Sequence, residues 1–419
     1  MNMHDATQIA AGHTPAARQD GSQGGLEPKA AETAVGLTRL GLTDFRSYER
    51  VELRLDAGLP VVLTGPNGAG KTNLLEAVSY LSPGRGIRVA RLADVTRNGA
   101  PSGAAWAVSG TVADGRGGET RLGTGLEPRR PIIENHSGPR RERRVVRVDG
   151  EPVGGPAALS SLFPVSWITP QMDQIFAEAP SGRRRFLDRL VYGFDPDHAR
   201  RVGAYDRATR ERGRLLRDHG GGADPKWMSA LENTMAEEGI AIAAARRETV
   251  ARLRGVIAAG VGPFPGADVS VSGQVEDWLS DMAAVDAEDR LRGELERARG
   301  EDAAVGRATV GPQKSDLVVH HKAKGAPANQ CSTGEQKALL IAILLADVRV
   351  HSGLGNSVPV LLLDEVAAHL DKVRRNALFD ELSRLESQVW LTGTDRELFQ
   401  PLAPEAQFFS VEEGRVARA

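Results

Sequence analysis

The residues best equipped for chemistry are Gly65-Pro66-Asn67-Gly68-Ala69-Gly70-Lys71-Thr72, which fit the phosphate-binding pattern G-x-x-x-x-G-K-[ST]. Glycines at these positions let the backbone wrap a polyphosphate so that successive N–H groups point inward, while the following helix presents its positive end. Lys71 then reaches the outer phosphates, Thr72 offers a hydroxyl to Mg²⁺, and Asn73 borders the same loop. Such a site also needs a carboxylate to hold the metal and a second group to orient or deprotonate water. Val360-Leu361-Leu362-Leu363-Asp364-Glu365 supplies both, with Asp364 as metal ligand and Glu365 beside it as the catalytic group, alongside Lys71. The ligand set, Thr72 with Asp364 for Mg²⁺ and the loop for ATP, is that of an ATPase.

A third element is Cys331-Ser332-Thr333-Gly334-Glu335-Gln336-Lys337, which runs into the apolar stretch Ala338 to Ala346. Ser332 suits the N-cap of a helix whose first amides face an anion, and alone it reads equally well as a simple cap. Its placement ahead of Asp364-Glu365 resembles the signature sequence of the ABC-type ATPases, with Ser332 and Gly334 matching and Thr333 and Glu335 departing. His369-Leu370-Asp371 resembles their D-loop. The resemblance implies that Ser332, Gly334 and Asp371 meet ATP held by a second subunit.

These groups must be held by particular elements. Leu37 to Tyr48 and Val51 to Leu55 alternate with period two, as half-buried antiparallel strands do. Leu59 to Thr64 is apolar without alternation, which fits a strand buried on both faces of a parallel sheet and leading into the phosphate loop. Short strand-like runs follow between 104 and 167, with a hairpin at Arg144 to Val153 turning on Asp149-Gly150. From Gly182 to about 300 the text is Arg, Ala, Glu and Leu at helical spacing, broken at Gly220 to Gly222 and from Gly260 to Gly266. Strands then return around a long helix starting near Gly334, with Val358 to Leu363 and Gln388 to Thr392 the clearest.

Composition removes several function classes. A single cysteine, Cys331, rules out an intramolecular disulfide or a multi-cysteine metal site, and the histidines lack metal-ligand spacing. The longest apolar run, Ala338 to Ala346, is far short of the roughly 20 residues that span a bilayer, and the polar start lacks a leader pattern, so a cytoplasmic protein is expected. A net charge of −2 gives no global attraction to nucleic acid, so a DNA face has to be local. The candidates are Arg183, Arg184, Arg185, Arg207, Arg210 and Arg214; arginines also crowd at Arg140, Arg141, Arg143, Arg144 and Arg147. Solvated helix or hairpin faces explain such runs equally well. Aromatics are 5% of residues, which favours a grip on duplex phosphates over a stacking platform for single strands.

Text outside the nucleotide motifs narrows the resemblance. Leu42-Thr-Asp-Phe-Arg46-Ser-Tyr, Lys71 to Ala77, Ala179-Pro-Ser-Gly-Arg-Arg184-Arg-Phe-Leu-Asp188, Tyr205 to Leu216 and Ser332-Thr-Gly-Glu-Gln-Lys resemble the RecF family of SMC-related ABC-type ATPases, over 37 to about 412. Gly65-Pro66-Asn67-Gly68 is less acidic than the family form, and Gly311-Pro312-Gln313-Lys314-Ser315-Asp316 stands in place of a His-Arg-Asp-type stretch.

The resemblance implies an α/β ABC-type ATPase head: a mixed sheet with a P-loop core and a helical insertion too short and too broken for an SMC arm. The expected organisation is a disordered extension over 1–34, a first ATPase lobe with a β subdomain over 35–180, the helical insertion over 181–305, and the lobe with signature, Asp-Glu pair and D-loop over 306–419. It further implies an ATP-dependent homodimer with weak ATPase activity. That dimer would bind DNA at single-strand gaps in recombinational repair and replication restart, work with RecR and RecO, and help to place RecA. A transporter ATPase subunit or another SMC-like DNA ATPase is the alternative. Gln171 or Gln174 is placed to sense metal and water, and Thr394 with Asp395 to sense the terminal phosphate.

Overall fold

A computed structural model describes residues 35–127, 142–354, 358–385 and 387–419. The expected extension over 1–34, Arg140 and Arg141 lie outside these residues. At the centre is a six-stranded sheet in the order β15-β14-β3-β13-β12-β8. Its strands are β3 (Val61–Thr64), β8 (Val165–Ile168), β12 (Val360–Leu363), β13 (Val389–Gly393), β14 (Gln407–Glu412) and β15 (Arg415–Arg418). All neighbours pair parallel except β14 with β15. Strands β3, β8, β12 and β13 are buried throughout, which is why their sequences are continuous apolar runs.

Alternate residues of these strands feed two different cores. Val61, Leu63, Val360, Leu362 and Trp390 face α1 (Lys71–Ser79) and a second, antiparallel sheet. That sheet has the order β2-β1-β4-β5-β6-β7, built from β1 (Val35–Phe45), β2 (Tyr48–Arg54), β4 (Ala107–Asp114), β5 (Glu119–Leu126), β6 (Arg144–Val148) and β7 (Glu151–Pro152). The β6–β7 turn is the expected Asp149-Gly150, both at positive φ. Val62, Leu361, Leu363 and Leu391 face the other core, which holds α2 (Pro180–Phe194), α8 (Thr333–Gly353) and α9 (Lys372–Ser383).

The insertion carries α3 (His198–His219), α4 (Pro225–Ala259), α5 (Gln274–Asp281), α6 (Ala284–Arg297) and α7 (Arg299–Val305). At 1.5 Å per residue α4 is about 50 Å long. Its first half packs on α3 and α6 through Met235, Ile240 and Ile242, and its last turns, through Val250, Leu253 and Ile257, enter the core around α8. One strand lies inside the stretch read as helical: β9 (Ala267–Ser272) pairs with β10 (Asp316–His321), which also pairs with β11 (Ala326–Pro327). A six-residue strand whose partner is this distant in sequence leaves almost no local signal.

Candidate nucleotide site and basic face

The phosphate loop closes between the end of β3 and the start of α1. Gly68 and Gly70 have φ of 81° and 117°, and a Cβ on Gly70 would sit 2.5 Å from the Tyr48 hydroxyl. Tyr48 Oη donates to the Gly70 carbonyl at 2.9 Å, fixing the loop against β2. Lys71 Nζ donates to the carbonyls of Gly65 and Pro66 at 2.7 and 2.9 Å, and its burial lowers its pKa against the opposing pull of Glu365 and Asp364. Asn73 Nδ2 donates to Ser47 Oγ at 2.9 Å. Pro66, Asn67, Gly68 and Ala69 line an open depression that also includes Glu412 and Arg415.

Asp364 emerges from β12 against the start of α1. The Thr72 hydroxyl is 3.0 Å from both carboxylate oxygens, and Thr392 Oγ1 is 2.8 Å from Oδ1. Burial raises the Asp364 pKa, while the Thr392 and Thr72 hydrogen bonds and the nearby Arg88 act the other way. A hydroxyl and a carboxylate converging beside a ring of loop amides form the hard-oxygen set that Mg²⁺ prefers, so these residues fit the metal as well as the nucleotide. Glu365 takes φ 52°, an unusual backbone for a non-glycine, and its N–H donates to Thr392 Oγ1 at 2.8 Å.

Sequence reasoning missed two contributors here. Thr392 is the β13 residue that reaches the acidic pair; Thr394 and Asp395, expected to sense the terminal phosphate, are exposed just beyond β13 and bond to each other. Strand register explains the Thr392 contact, since Leu363 pairs with Leu391 and the next residues, Asp364 and Thr392, stand side by side, while Thr394 and Asp395 lie beyond the end of β13. Arg88 donates to Asn73 Oδ1 at 2.7 Å and to Glu76, which Arg46 also holds, and its charge is felt at Asp364. No spacing rule ties a loop arginine to a site, so nothing in the sequence marked it. Gln171 and Gln174 are exposed on the loop leaving β8. That loop touches the site through β8, as Ile168 O accepts the Asp364 N–H at 2.9 Å, and touches α8 through Asp173, 3.2 Å from Lys337.

The signature residues sit at the exposed start of α8. Ser332 N-caps it, Ser332, Thr333 and Gly334 are exposed, and a Cβ on Gly334 would meet open space, so the chain itself does not require that glycine. Asp371 N-caps α9, accepting from the Arg374 N–H at 2.9 Å.

The arginine clusters divide into inner and outer members. Arg183, expected on a DNA face, is buried: it pairs with Asp316 at 2.7 Å and donates to the carbonyls of Ile175, Phe176 and Glu178. Arg212 is buried between Glu232 and Asp302, and Arg144 bonds Thr124 and the Gly84 carbonyl, with burial lowering its pKa to about 10. Arg185, Arg207, Arg210 and Arg214 are exposed. Arg184 is part-buried, its Nη1 donating to Ser315 O at 2.8 Å. Arg184, Arg207, Arg210 and Arg214 line one concavity of about 1130 Å³ together with Arg217, Arg307 and Lys314, against a single acid, Glu211. The segment 311–316 builds this wall: Arg246 donates to Pro312 O, Gln313 bonds Tyr205, and Asp316 anchors Arg183.

A family model described as the RecF/RecN/SMC N-terminal domain matches residues 36–416. The chain is 46% identical over 384 residues to the DNA replication and repair protein RecF of Rhizobium etli (strain CIAT 652), covering 91% of this chain and 98% of that one. The chain belongs to the RecF family. The Agrobacterium fabrum RecF is likewise 46% identical over the same coverage. Among solved structures, one described as the recombination mediator protein RecF-ATPrS in the RecFOR pathway superposes with a TM-score of 0.75 at 20% identity, covering 93% of this chain and 99% of that one. This family membership fixes the architecture as the ATPase head shared by RecF and SMC proteins. Among the described residues no helix is long and apolar enough to cross a membrane, and no cluster of three metal-ligating side chains occurs.

Proposed function

We propose that this protein is an ATP-gated DNA clamp of recombinational repair and replication restart. Support comes first from the nucleotide side. Lys71, Thr72, Asp364 and Glu365 are brought together with Thr392 and Arg88, and each has a role in ATP hydrolysis. Lys71 leaves the Gly65 and Pro66 carbonyls for the phosphates, the loop amides hold the phosphate oxygens, and Glu365 orients and deprotonates the attacking water. Bound at Thr72 and Asp364, Mg²⁺ would neutralise phosphate charge.

The observation that carries the reading is the exposed Ser332-Thr333-Gly334 start of α8, with a glycine that has no internal neighbour. A serine-capped helix start that lies open to solvent suits a phosphate presented by another chain, and two copies related by a twofold axis would complete two sites at once. ATP then favours the dimer by mass action, and hydrolysis releases it. The solved relatives named RecF-ATP and RecF-ATPrS agree with nucleotide binding in this family.

DNA is assigned to the concave basic face of Arg184, Arg207, Arg210 and Arg214, with Arg185 exposed nearby in sequence. The spacing of Arg207, Arg210, Arg214 and Arg217 places them along one side of α3, where they suit phosphates and carry no sequence information. A cytoplasmic location, gapped duplex as substrate, RecR and RecO as partners and RecA as the beneficiary complete the reading. Binding to gapped duplex DNA across a salt series, with and without ATP, tests it: ATP-stimulated binding that weakens steeply with salt is expected, and no binding at low salt overturns it.

A further inference from the structure

Glu335, one of the two residues that depart from the ABC-type signature, holds the donors that the signature would use. Ser332 N–H and Ser332 Oγ both donate to Glu335 Oε2 at 3.0 Å. Its other oxygen, Oε1, lies 2.5 Å from Nζ of Lys324 in the turn between β10 and β11. The Lys324 bond, joined by the two from Ser332, holds the Glu335 pKa down to about 2, so the group is an anion throughout the physiological range.

A hydroxyl and an amide each carry one hydrogen to donate, so neither serves a carboxylate and a phosphate together. A carboxylate left beside Ser332 would also repel the arriving charge. We propose that Glu335 competes with the γ-phosphate of a second subunit's ATP for Ser332, and that Lys324 takes charge of the displaced carboxylate, so that this pair sets the ATP concentration at which two copies close. The proposal rests on the reading that Ser332 meets a partner's ATP. Lys324 has the reach for this role, being half-exposed on a tight turn.

A capping box alone is a common helix start, and the test must separate it from competition. Glu335→Gln keeps an acceptor for the Ser332 N–H and loses the charge. Sedimentation across an ATP titration should show half-maximal dimer at an ATP concentration at least about fivefold lower than wild type, with unchanged ATP affinity of the monomer and an unchanged melting midpoint without ATP. Lys324→Met should raise the ATP needed in the wild-type background and have no effect on top of Glu335→Gln. A Glu335→Gln protein that needs as much ATP as wild type, or more, overturns the proposal, as does an effect of Lys324→Met that persists in the double variant. Ser332→Arg distinguishes the underlying reading: if it dimerises normally the signature contact itself falls, whereas loss of its dimer beside a wild-type titration for Glu335→Gln removes only the competition.

Discussion

The Thr72 hydroxyl lies 3.0 Å from both carboxylate oxygens of Asp364, a residue 292 positions later in the chain. That pairing joins the start of α1 to the end of β12 and defines where a divalent cation would sit. It holds because β3 and β12 flank β13 in a parallel sheet, so both strands deliver their carboxyl ends to one edge.

Asp364→Asn keeps the shape and both hydrogen bonds but removes the charge that complements Mg²⁺. Steady-state ATP hydrolysis should fall by about 100-fold or more, the scale of lost electrostatic stabilisation at a reacting phosphate. Titration with Mg²⁺ should show half-saturation moved to a higher Mg²⁺ concentration at the same time. Thr392→Val should act in the same direction and more weakly, since it removes one bond to Asp364 and one to the Glu365 backbone.

The two kinds of arginine should separate cleanly. Replacing Arg207, Arg210 and Arg214 with alanine should leave the melting midpoint nearly unchanged. The slope of log affinity for DNA against log salt should become shallower by about 3, at roughly 0.9 per lost phosphate contact. Arg183→Ala should do the opposite: it leaves Asp316 without its partner and three carbonyls without a donor, costing about 3–5 kcal/mol of stability. Thermal denaturation beside DNA titration distinguishes these outcomes.

Much of the site was legible because it is local. The phosphate loop, Asp364-Glu365 and the Ser332 cap are each contiguous, and apolar strand text announced where they stand. The pieces that escaped depend on long-range pairing. Thr392 is one more threonine in a strand until β13 is set beside β12, Arg88 is a loop arginine until its loop folds over α1, and β9 has no partner until β10 arrives. Arg183 illustrates the converse. An arginine triplet at the start of a helix gives no hint of which member turns inward; Asp316, 133 positions away, and the carbonyls of Ile175, Phe176 and Glu178 decide it together.

Stability should carry a pH signature from the α2–α8 interface. Asp347 is 1% exposed, one of its oxygens has no hydrogen-bond partner, and burial raises its pKa well above the usual carboxylate value despite Arg189 nearby. A raised carboxylate favours the protonated folded state, so its cost is absent at low pH and grows as pH rises from the unfolded value through the folded one. His351, 3.6 Å away, is lowered to about 4 by burial, so its contribution is present above the unfolded histidine value and is lost as pH falls toward 4. Asp347→Asn should therefore raise stability by about 1–2 kcal/mol at pH 8. The gain should shrink as the pH is lowered toward 4 in a series of denaturant melts.

The central claim is that one chain holds half of each ATP site and a second copy supplies the other half. Analytical ultracentrifugation of Glu365→Gln with and without Mg·ATP tests it most directly, because the variant should bind ATP and hydrolyse it slowly. The account predicts monomer without nucleotide and a persistent dimer with it, abolished when Ser332→Arg is added. A protein whose dimer fraction is the same with and without ATP would contradict it.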